Sequence, residues 1–315
     1  MLYISLKETA NKFADKLAVN DLTYSQLFDQ ALSRPYTSVC HETGLPVLLD
    51  IIRAMSEDKP IVIMPKENRE QVIMPESLPE QFGIVLYSSG STGRRKPIFL
   101  PETMLFANAQ NTIKFQNITS DDRFLNVCSM NHTAGINCHT LPGLLAGAYI
   151  HIDQFNGFNC LRLLKELDIT AVHVIPMMTE VLMRVGKPDL PKLKLVITGS
   201  DCITKDHVKY WLDDGRDMMI TFGMTEAGPP AICHIFKNGD DLSCFDSGFP
   251  VGSHAFCETK IIDGELWLKG PIINREGWFQ TGDCFKHENS FYYYTGRVSA
   301  GGKIVPKGQH ATTGN

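Results

Sequence analysis

Between residues 83 and 214, apolar runs of strand length alternate with amphipathic segments of helix length, and this alternation restricts the fold more than any other feature of the chain. GIVLYSS precedes MLFANAQNTIKFQ, FLNVCSM precedes GINCHTLPGLLAG, AYIHID precedes NCLRLLKELD, AVHVIP precedes MTEVLMRVG, and LKLVITGS precedes KDHVKYWLDD. A helix that covers its sheet carries the chain back to lay the next strand parallel to the last. The rhythm therefore predicts an α/β architecture of stacked, mostly parallel sheets flanked by helices. Upstream, ISLKETANKFADKLA over 4–18 spaces Leu6, Ala10, Phe13 and Leu17 on one helical face. AVNDLTYSQLFDQALS reads as a short strand, an Asn-Asp turn and a helix capped by Thr23 or Ser25, PVLLDIIRAMSED as a helix, and KPIVIMP as a buried strand.

After about residue 240 the pattern changes. FCETKIID, GELWLKG, GWFQTGD and NSFYYYTGR are short strands between Gly, Asn and Asp turns, which predicts a small antiparallel β-rich subdomain near the C-terminus. The expected organisation is an α/β core over 1–240, a β-rich subdomain over 241–297, and a hinge remnant or flexible tail over 298–315, where the chain is polar and glycine-rich.

With 43% hydrophobic and 21% charged residues the composition is that of a soluble globular protein. A net charge of -5 argues against a nucleic-acid partner but leaves room for a local cationic site that takes a phosphate. The nine cysteines are scattered singly with no CxxC pair, as expected of reduced thiols in a cytoplasm. Cys138-His139 and Cys233-His234 are adjacent in sequence, so their side chains diverge and neither makes a natural ligand pair. The N-terminus has no signal-like apolar core and no apolar stretch is long enough to span a bilayer, so no membrane association is expected.

Three motifs carry chemistry. In LYSSGSTGRRKP (86–97), Gly90 and Gly93 let backbone N–H groups turn toward one concavity, Ser88, Ser89, Ser91 and Thr92 add hydroxyls, and Lys96 adds a point charge. The run is not a Walker A sequence, and it suits either a polyphosphate cradle or a flexible surface loop. In TFGMTEAGPP (221–230), Phe222 can lie against a planar base while Thr225 and Glu226 meet a phosphate and its Mg²⁺; a simple capped turn is the alternative. QTGD (280–283), with Arg297 fourteen residues beyond its Asp283, offers a carboxylate to a vicinal diol, although Asp283 alone also suits a turn or cap.

Taken in order, YSSGSTGRRK, NHTAGINCHTLPGLLAGA, LVITGS, TFGMTE, GELWLKGP, WFQTGD and TGR resemble the adenylate-forming superfamily of acyl-CoA and aryl-CoA synthetases, peptide-synthetase adenylation domains and luciferases. The opening TANKFADKLAVNDLTYSQL is similar to that family's start, so the resemblance spans roughly residues 4 to 300. It implies ATP- and Mg²⁺-dependent activation of a small-molecule carboxylic acid as an acyl-adenylate, with release of pyrophosphate and acyl-CoA ligase-like chemistry to follow. Coenzyme A or a carrier-protein thiol is the implied acceptor. By resemblance, Ser88, Ser89, Gly90, Ser91, Thr92, Gly93 and Lys96 bind the phosphates. Thr225 and Glu226 meet the α-phosphate and metal, and Gly199, Ser200, Asp201, Thr221, Phe222 and Gly223 frame the adenine. Asp283, with Arg297 and Tyr294 nearby, takes the ribose. His132, in the HxxG run, lines the acid pocket or is a satisfied core histidine, and Lys96, His132, Thr225 and Glu226 form the implied catalytic set.

Near His132 nothing matches the aspartate that pairs an α-ammonium, so an aryl or fatty acid is expected rather than an amino acid. The acid pocket is expected from segments around 132, 173–178, 198–201 and 224–231. The chain departs from the family pattern at Arg95, where proline is usual, and in the short stretch before Tyr87, where helix–strand units between about 33 and 80 are expected to be missing or compressed. Ala300 stands near the usual pivot, and Lys303 and Lys307 lie too close to it to match the lysine of the family's C-terminal lid domain. Three outcomes are compatible with these departures: an enzyme that passes its adenylate to a carrier protein or to a lid domain in trans, a non-catalytic nucleotide- or acid-binding relative, and a fragment of a full-length acyl-CoA synthetase.

Overall fold

The computed structural model describes residues 1–67, 69–88, 94–186 and 188–298, together with the backbone of 304–306. Among these residues the chain builds three sheets. The largest has nine strands, in the order His254–Ala255, Ala227–Phe236, Asp217–Met224, Leu195–Gly199, Ala171–His173, Arg123–Asn126, Tyr149–Ile152, Leu17–Val19 and Leu22–Thr23. The run from Asp217–Met224 to Leu17–Val19 is parallel throughout, and antiparallel strands close both ends. Alternate strand residues face opposite layers. Leu125, Val172, Val196 and Ile220 pack with Leu161, Leu164, Leu182 and Trp211 from three helices on one side. Phe124 and Ile150 pack with Met104, Leu141 and Leu144 on the other. This is the mixed α/β architecture that the alternation predicts.

A four-stranded sheet, Val39–Cys40, Ile61–Ile63, Gly83–Tyr87 and Pro97–Pro101, joins the same core through Ile61, Ile63, Ile84 and Leu86. Its first three strands are parallel and its last is antiparallel. The third sheet is antiparallel and begins at Phe249–Gly252. It contains Glu258–Ile262, Glu265–Lys269, Phe279–Glu288 and Phe291–Val298, with Ile304–Pro306 beside Gly296–Val298. Residues 299–303 and 307–315, and with them Ala300, Lys303 and Lys307, lie outside the described residues. No helix among the described residues is long and apolar enough to cross a membrane.

Several local expectations need correction. The first helix covers Leu2–Lys12 rather than 4–18, and Leu17 opens a strand. Ala18 and Val19 are fully buried there, Val19 pairs in parallel with Ile150, and Lys16 donates from Nζ to the carbonyls of Gly147 and Ser120. Tertiary pairing thus overrides a helical spacing that Leu17 happens to satisfy. The helix expected over GINCHTLPGLLAG is split into a wide turn, Ala134–Cys138, and a helix, Thr140–Ala146, that restarts after His139. Pro142 explains the break, because its ring and missing N–H are tolerated in a first turn but not one turn later. Thr23 caps the second helix, Tyr24–Ser33, with the reciprocal hydrogen bonds of a capping box.

The stretch read as a Gly-bounded turn, TFGMTEAGPP, is a hairpin with Thr225 and Glu226 at its tip. Phe222 pairs with Ile232 and Met224 with Ala227, so Gly228 to Ala231 bulge opposite Gly223 alone. That bulge is where Pro229 and Pro230 escape the ladder, which is why so proline-rich a run continues as a strand.

Two features of this packing yield predictions. Gly252 sits at φ +151°, and a Cβ there would lie 2.4 Å from the Cys233 carbonyl. The bare glycine lets the antiparallel sheet abut the nine-stranded one. Gly252→Ala is expected to destabilise the fold by about 2 kcal/mol or more, read by urea denaturation. On the sheet face toward Thr140–Ala146, His139 stacks on Phe124 with centroids 4.4 Å apart and meets His173 edge-on at 6.5 Å. Both imidazoles are buried, and none of their ring nitrogens has a hydrogen-bond partner among the described residues. Burial pushes His139 down to about 3, with the His173 charge adding to it, and burial alone pushes His173 down to about 4. Below pH ~6.5 the unfolded chain therefore binds protons that the folded chain refuses, so stability is full above that pH and falls on acidification. Between pH 7.5 and 5 each histidine is expected to remove about 2 kcal/mol, and His139→Leu should abolish roughly half of that loss.

Candidate active site

The parallel strands of the large sheet end along one edge, and the segments that leave them there meet Phe249–Gly252 and the antiparallel sheet across a cavity of about 780 Å³. This is within the usual range of a small-molecule site. Ser88, Lys96, His132, Ser200, Asp201, Thr221, Phe222, Gly223, Thr225, Glu226, Asp283, Tyr294 and Arg297 all line it. Gly199 lies instead on an adjoining cavity of about 40 Å³. Ser89, Gly90, Ser91, Thr92 and Gly93 lie outside the described residues. The chemistry-bearing segments, spread over more than 200 positions, thus converge on one place.

Each wall is held by a specific device. The feet of the hydroxyl-rich loop are pinched together where the Ser88 amide donates to the Lys96 carbonyl at 3.1 Å, at the mouth of the antiparallel pair Gly83–Tyr87 and Pro97–Pro101. The His132 loop hangs from two buried asparagines. Asn126 Nδ2 donates to the Gly135 carbonyl (2.8 Å) and to Thr140 Oγ1 (2.9 Å), while Asn131 Nδ2 donates to the Met64 carbonyl (2.6 Å) and the Glu42 carbonyl (3.1 Å). Gly135 must be glycine, because a Cβ would fall 2.3 Å from the Ser129 carbonyl oxygen. Ser200, just past the strand Leu195–Gly199, takes a left-handed conformation (φ 73°) that turns the chain sharply at the cavity edge.

The hairpin tip is anchored from outside. The Asn274 amide donates to the Glu226 carbonyl at 3.0 Å, and Asn108 Nδ2 donates to the Gly228 carbonyl at 3.0 Å. The QTGD corner hangs on Glu265, whose carboxylate accepts from the Gly282 amide (2.7 Å) and from Gln280 Nε2 (2.5 Å). Thr281 Oγ1 donates to the Leu266 carbonyl at 2.7 Å and accepts from the Asp283 amide at 3.1 Å. Asp283 is left facing the cavity while only 7% exposed, opposite Arg297 in the ladder, with Arg297 Nε 3.6 Å from Asp283 Oδ1. Phe222 meets Phe285 edge-on at 4.9 Å and Phe285 meets Tyr294 at 5.7 Å, giving an aromatic side to the cavity next to Asp283.

Charge is distributed unevenly around this space. Lys96 makes no ion pair among the described residues. Burial, and secondarily the Arg95 guanidinium, holds His132 below the usual imidazole value, so it is neutral near pH 7. The Glu226 carboxylate lines the cavity with no side-chain hydrogen bond or ion pair among the described residues. No group of three or more His, Cys, Asp or Glu among the described residues converges as a closed metal cage. A single open carboxylate suits Mg²⁺, which keeps several waters and takes its other oxygens from a bound phosphate.

Some contributors escape a motif-based reading. Phe249, Pro250 and Val251 line the cavity from the first strand of the antiparallel sheet, and FPV carries no chemistry that would mark it. Glu265 and Thr281 act through the chain beside Asp283, and only the tertiary contact reveals them. Ile175 and Met178 come from the expected 173–178 segment and give the His132 side an apolar lining.

Comparisons with known proteins agree with this geometry. A family model described as AMP-binding enzyme matches residues 40–276. Indoleacetate–CoA ligase from Aromatoleum aromaticum is 26% identical over 269 residues, 74% of this chain and 52% of that protein. Feruloyl-CoA synthase from an Amycolatopsis species is 26% identical over 67% of this chain and 48% of its own length. The chain thus spans about half the length of these relatives. Among solved structures, o-succinylbenzoate CoA synthetase from Bacillus subtilis in complex with its acyl-adenylate intermediate superposes with a TM-score of 0.79 at 15% identity, covering 93% of this chain and 98% of that one. The same synthetase in complex with ATP and magnesium gives 0.74 at 15% identity, covering 96% of this chain and 82% of that one. With the model matched over most of its length and the fold shared with these synthetases, this chain belongs to the AMP-binding enzyme family.

Proposed function

We propose that this chain activates an aryl carboxylic acid with ATP, forming an acyl-adenylate and releasing pyrophosphate, as the first half of an acid–thiol ligation. One observation carries the reading. A single cavity unites an open carboxylate on a hairpin tip (Glu226), an ammonium with no ion pair among the described residues (Lys96), a neutral imidazole (His132) and a buried carboxylate beside an aromatic wall (Asp283). The relatives are ligases for indoleacetate, ferulate-type and succinylbenzoate acids, which supports an aromatic substrate, as does the apolar lining supplied by Ile175 and Met178.

Both reactants are anions, so the site must bring like charges together before it does anything else. In this reading Asp283 accepts hydrogen bonds from the ribose hydroxyls, Phe222 and Tyr294 flank the base, and Ser88 and Lys96 hold the β- and γ-phosphates. His132, being neutral, donates a ring N–H to the acid without adding charge. One carboxylate oxygen attacks the α-phosphorus, the bond to the bridging oxygen of the β-phosphate breaks, and pyrophosphate leaves with the electron pair; no proton is transferred. Mg²⁺ bound with the triphosphate, its oxygens completed by Glu226, would supply positive charge to the phosphates. Lys96 stabilises the charge that accumulates on the leaving group.

The acceptor is a thiol, with coenzyme A favoured over a carrier protein by the relatives. The nine cysteines are all free, which supports a reducing, cytoplasmic setting.

Isotope exchange between pyrophosphate and ATP, dependent on an added aryl acid, is the expected signal. Asp283→Ala should weaken ATP and AMP binding at least ten-fold by calorimetry. Glu226→Ala is expected to slow exchange by ~10² to 10³, and Lys96→Ala by less, because the loop supplies other donors. Undiminished exchange by the Glu226 variant would remove that residue from the mechanism, and absence of ATP binding by the wild type would overturn the reading.

A further inference from the structure

Lys96 reaches the cavity from a short stretch of backbone that is hydrogen-bonded along both of its edges. On one edge the Lys96 carbonyl accepts from the Ser88 amide at 3.1 Å. On the other, the Arg95 amide donates to the Gln71 carbonyl at 3.0 Å and the Ile73 amide donates to the Arg95 carbonyl at 3.1 Å. Val72 and Arg95 thereby form a parallel bridge. Successive residues of an extended chain turn their amides and carbonyls to opposite edges. Arg95 and Lys96 are thus the middle of a small three-stranded patch, with Ser88 on one side and 71–73 on the other. Side chains alternate likewise, and of this pair only Lys96 lines the cavity.

The outer member of the patch is itself tied down. Arg69, which opens the single 3-10 turn Arg69–Gln71, donates from Nε to the Pro65 carbonyl (3.0 Å) and from Nη2 to the His41 carbonyl (2.7 Å). Val72 and Leu78 pack with Val62, Met64, Val85 and Tyr87, on and beside the four-stranded sheet. Tyr87 Oη donates to Met74 Sδ at 3.5 Å. Ile73 is 40% exposed, so its part in the patch is played by its backbone and not by its side chain. A stretch of chain with no chemistry of its own therefore links the sheet to the backbone that carries the ammonium.

We propose that residues 71–73 are a positioning strap for Lys96, holding that lysine, through two backbone bonds to Arg95, where it meets the β- and γ-phosphates of ATP. This rests on the phosphate-binding role proposed for Lys96 and names what fixes it. Lysine carries a point charge on a flexible stem, so its aim depends on how firmly the backbone beneath it is held. Backbone order established before the ligand arrives also lowers the cost of ordering the site on binding. The strap touches neither nucleotide nor acid, and its effect is confined to ligands that extend beyond the α-phosphate.

The test uses the whole chain with Mg²⁺. Calorimetry measures the affinity for a non-hydrolysable ATP analogue and for AMP, and acid-dependent pyrophosphate exchange is followed alongside. Ile73→Pro removes the N–H on the strap side, and Arg95→Pro removes the one on the Lys96 side. Each is expected to weaken binding of the ATP analogue about three- to ten-fold, the usual effect of one lost hydrogen bond, while AMP binding stays unchanged as a check on folding. Ile73→Ala keeps the amide and should bind as the wild type does. Arg95→Met removes the guanidinium but keeps the amide, and should bind the analogue more tightly than Arg95→Pro by that same factor. In a Lys96→Ala background Ile73→Pro should add little, because the strap acts through the ammonium. Equal loss of analogue and AMP in the proline variants would show a general structural role and overturn the proposal. So would undiminished analogue binding in both proline variants, or an Ile73→Pro effect that persists in full without Lys96. A selective loss in the proline variants, with no exchange for any acid, would uphold the strap and sink the activation reading; exchange with proline variants equal to the wild type would do the reverse. No binding of ATP analogue by the wild type would overturn both.

Discussion

The parallel register of Leu195–Gly199 against Asp217–Met224 is the constraint on which the rest of the site depends. It brings Gly199, the last residue of its strand, level with Thr221, so Ser200 and the Phe222–Met224 continuation of the neighbouring strand leave their mutual pairing toward the same space. A slip of one residue would turn the side chains of whichever strand moved to the opposite face, putting Ile197 in place of Val196 or Thr221 in place of Ile220 against the helical layer. The hydrophobic layer formed by Val172, Val196 and Ile220 against Trp211 and Leu182 excludes that alternative, so the same burial that stabilises the sheet also aims the site.

Polar side chains then fix what the sheets only bring near. Asn126, Asn131 and Asn108 spend their amide groups on backbone carbonyls of the His132 loop, of the four-stranded sheet and of the hairpin arm. Each is nearly fully buried, and each joins elements far apart in sequence. Glu265 does the same for the QTGD corner, so Asp283 faces the cavity from a rigid support and not from a free turn. Such bonds contribute modestly to net stability, but breaking one leaves a buried partner unmet, and the geometry they impose is correspondingly hard to lose.

Much of this was legible in the sequence. The alternation of strand-length and helix-length segments reports a packing rule that acts locally, so it predicted the parallel core, and motif order located nearly every segment of the cavity. What stayed hidden depends on contacts distant along the chain. Leu17 fits a helical face but is drawn into a strand by its neighbours around Ile150. Ala227–Phe236 carries Pro229 and Pro230 near its start and reads as a turn until the bulge opposite Gly223 shows how they are accommodated. Phe249, Pro250 and Val251 carry no signal at all, because an apolar wall of a cleft looks like any other apolar strand. His173 was inside an expected pocket segment, yet nothing in AVHVIP distinguishes an imidazole that faces a void from one that is satisfied in the core.

The contact between Gly252 and the Cys233 carbonyl has a mechanical consequence. The antiparallel sheet that carries Asp283, Tyr294 and Arg297 leans on the larger sheet at this point, with no side chain between them. Restoring ordinary van der Waals spacing after adding even one methyl group requires about 1 Å of movement there. With Gly252 as fulcrum, a wedge at that point would shift the antiparallel sheet and, through the bond from the Asn274 amide to the Glu226 carbonyl, the hairpin tip with it, while the His132 loop is held separately by Asn126 and Asn131. The two halves of the cleft would then separate in their tolerance of damage: the wall carrying Asp283 would drift out of reach, and the wall around His132 and His173 would keep its shape.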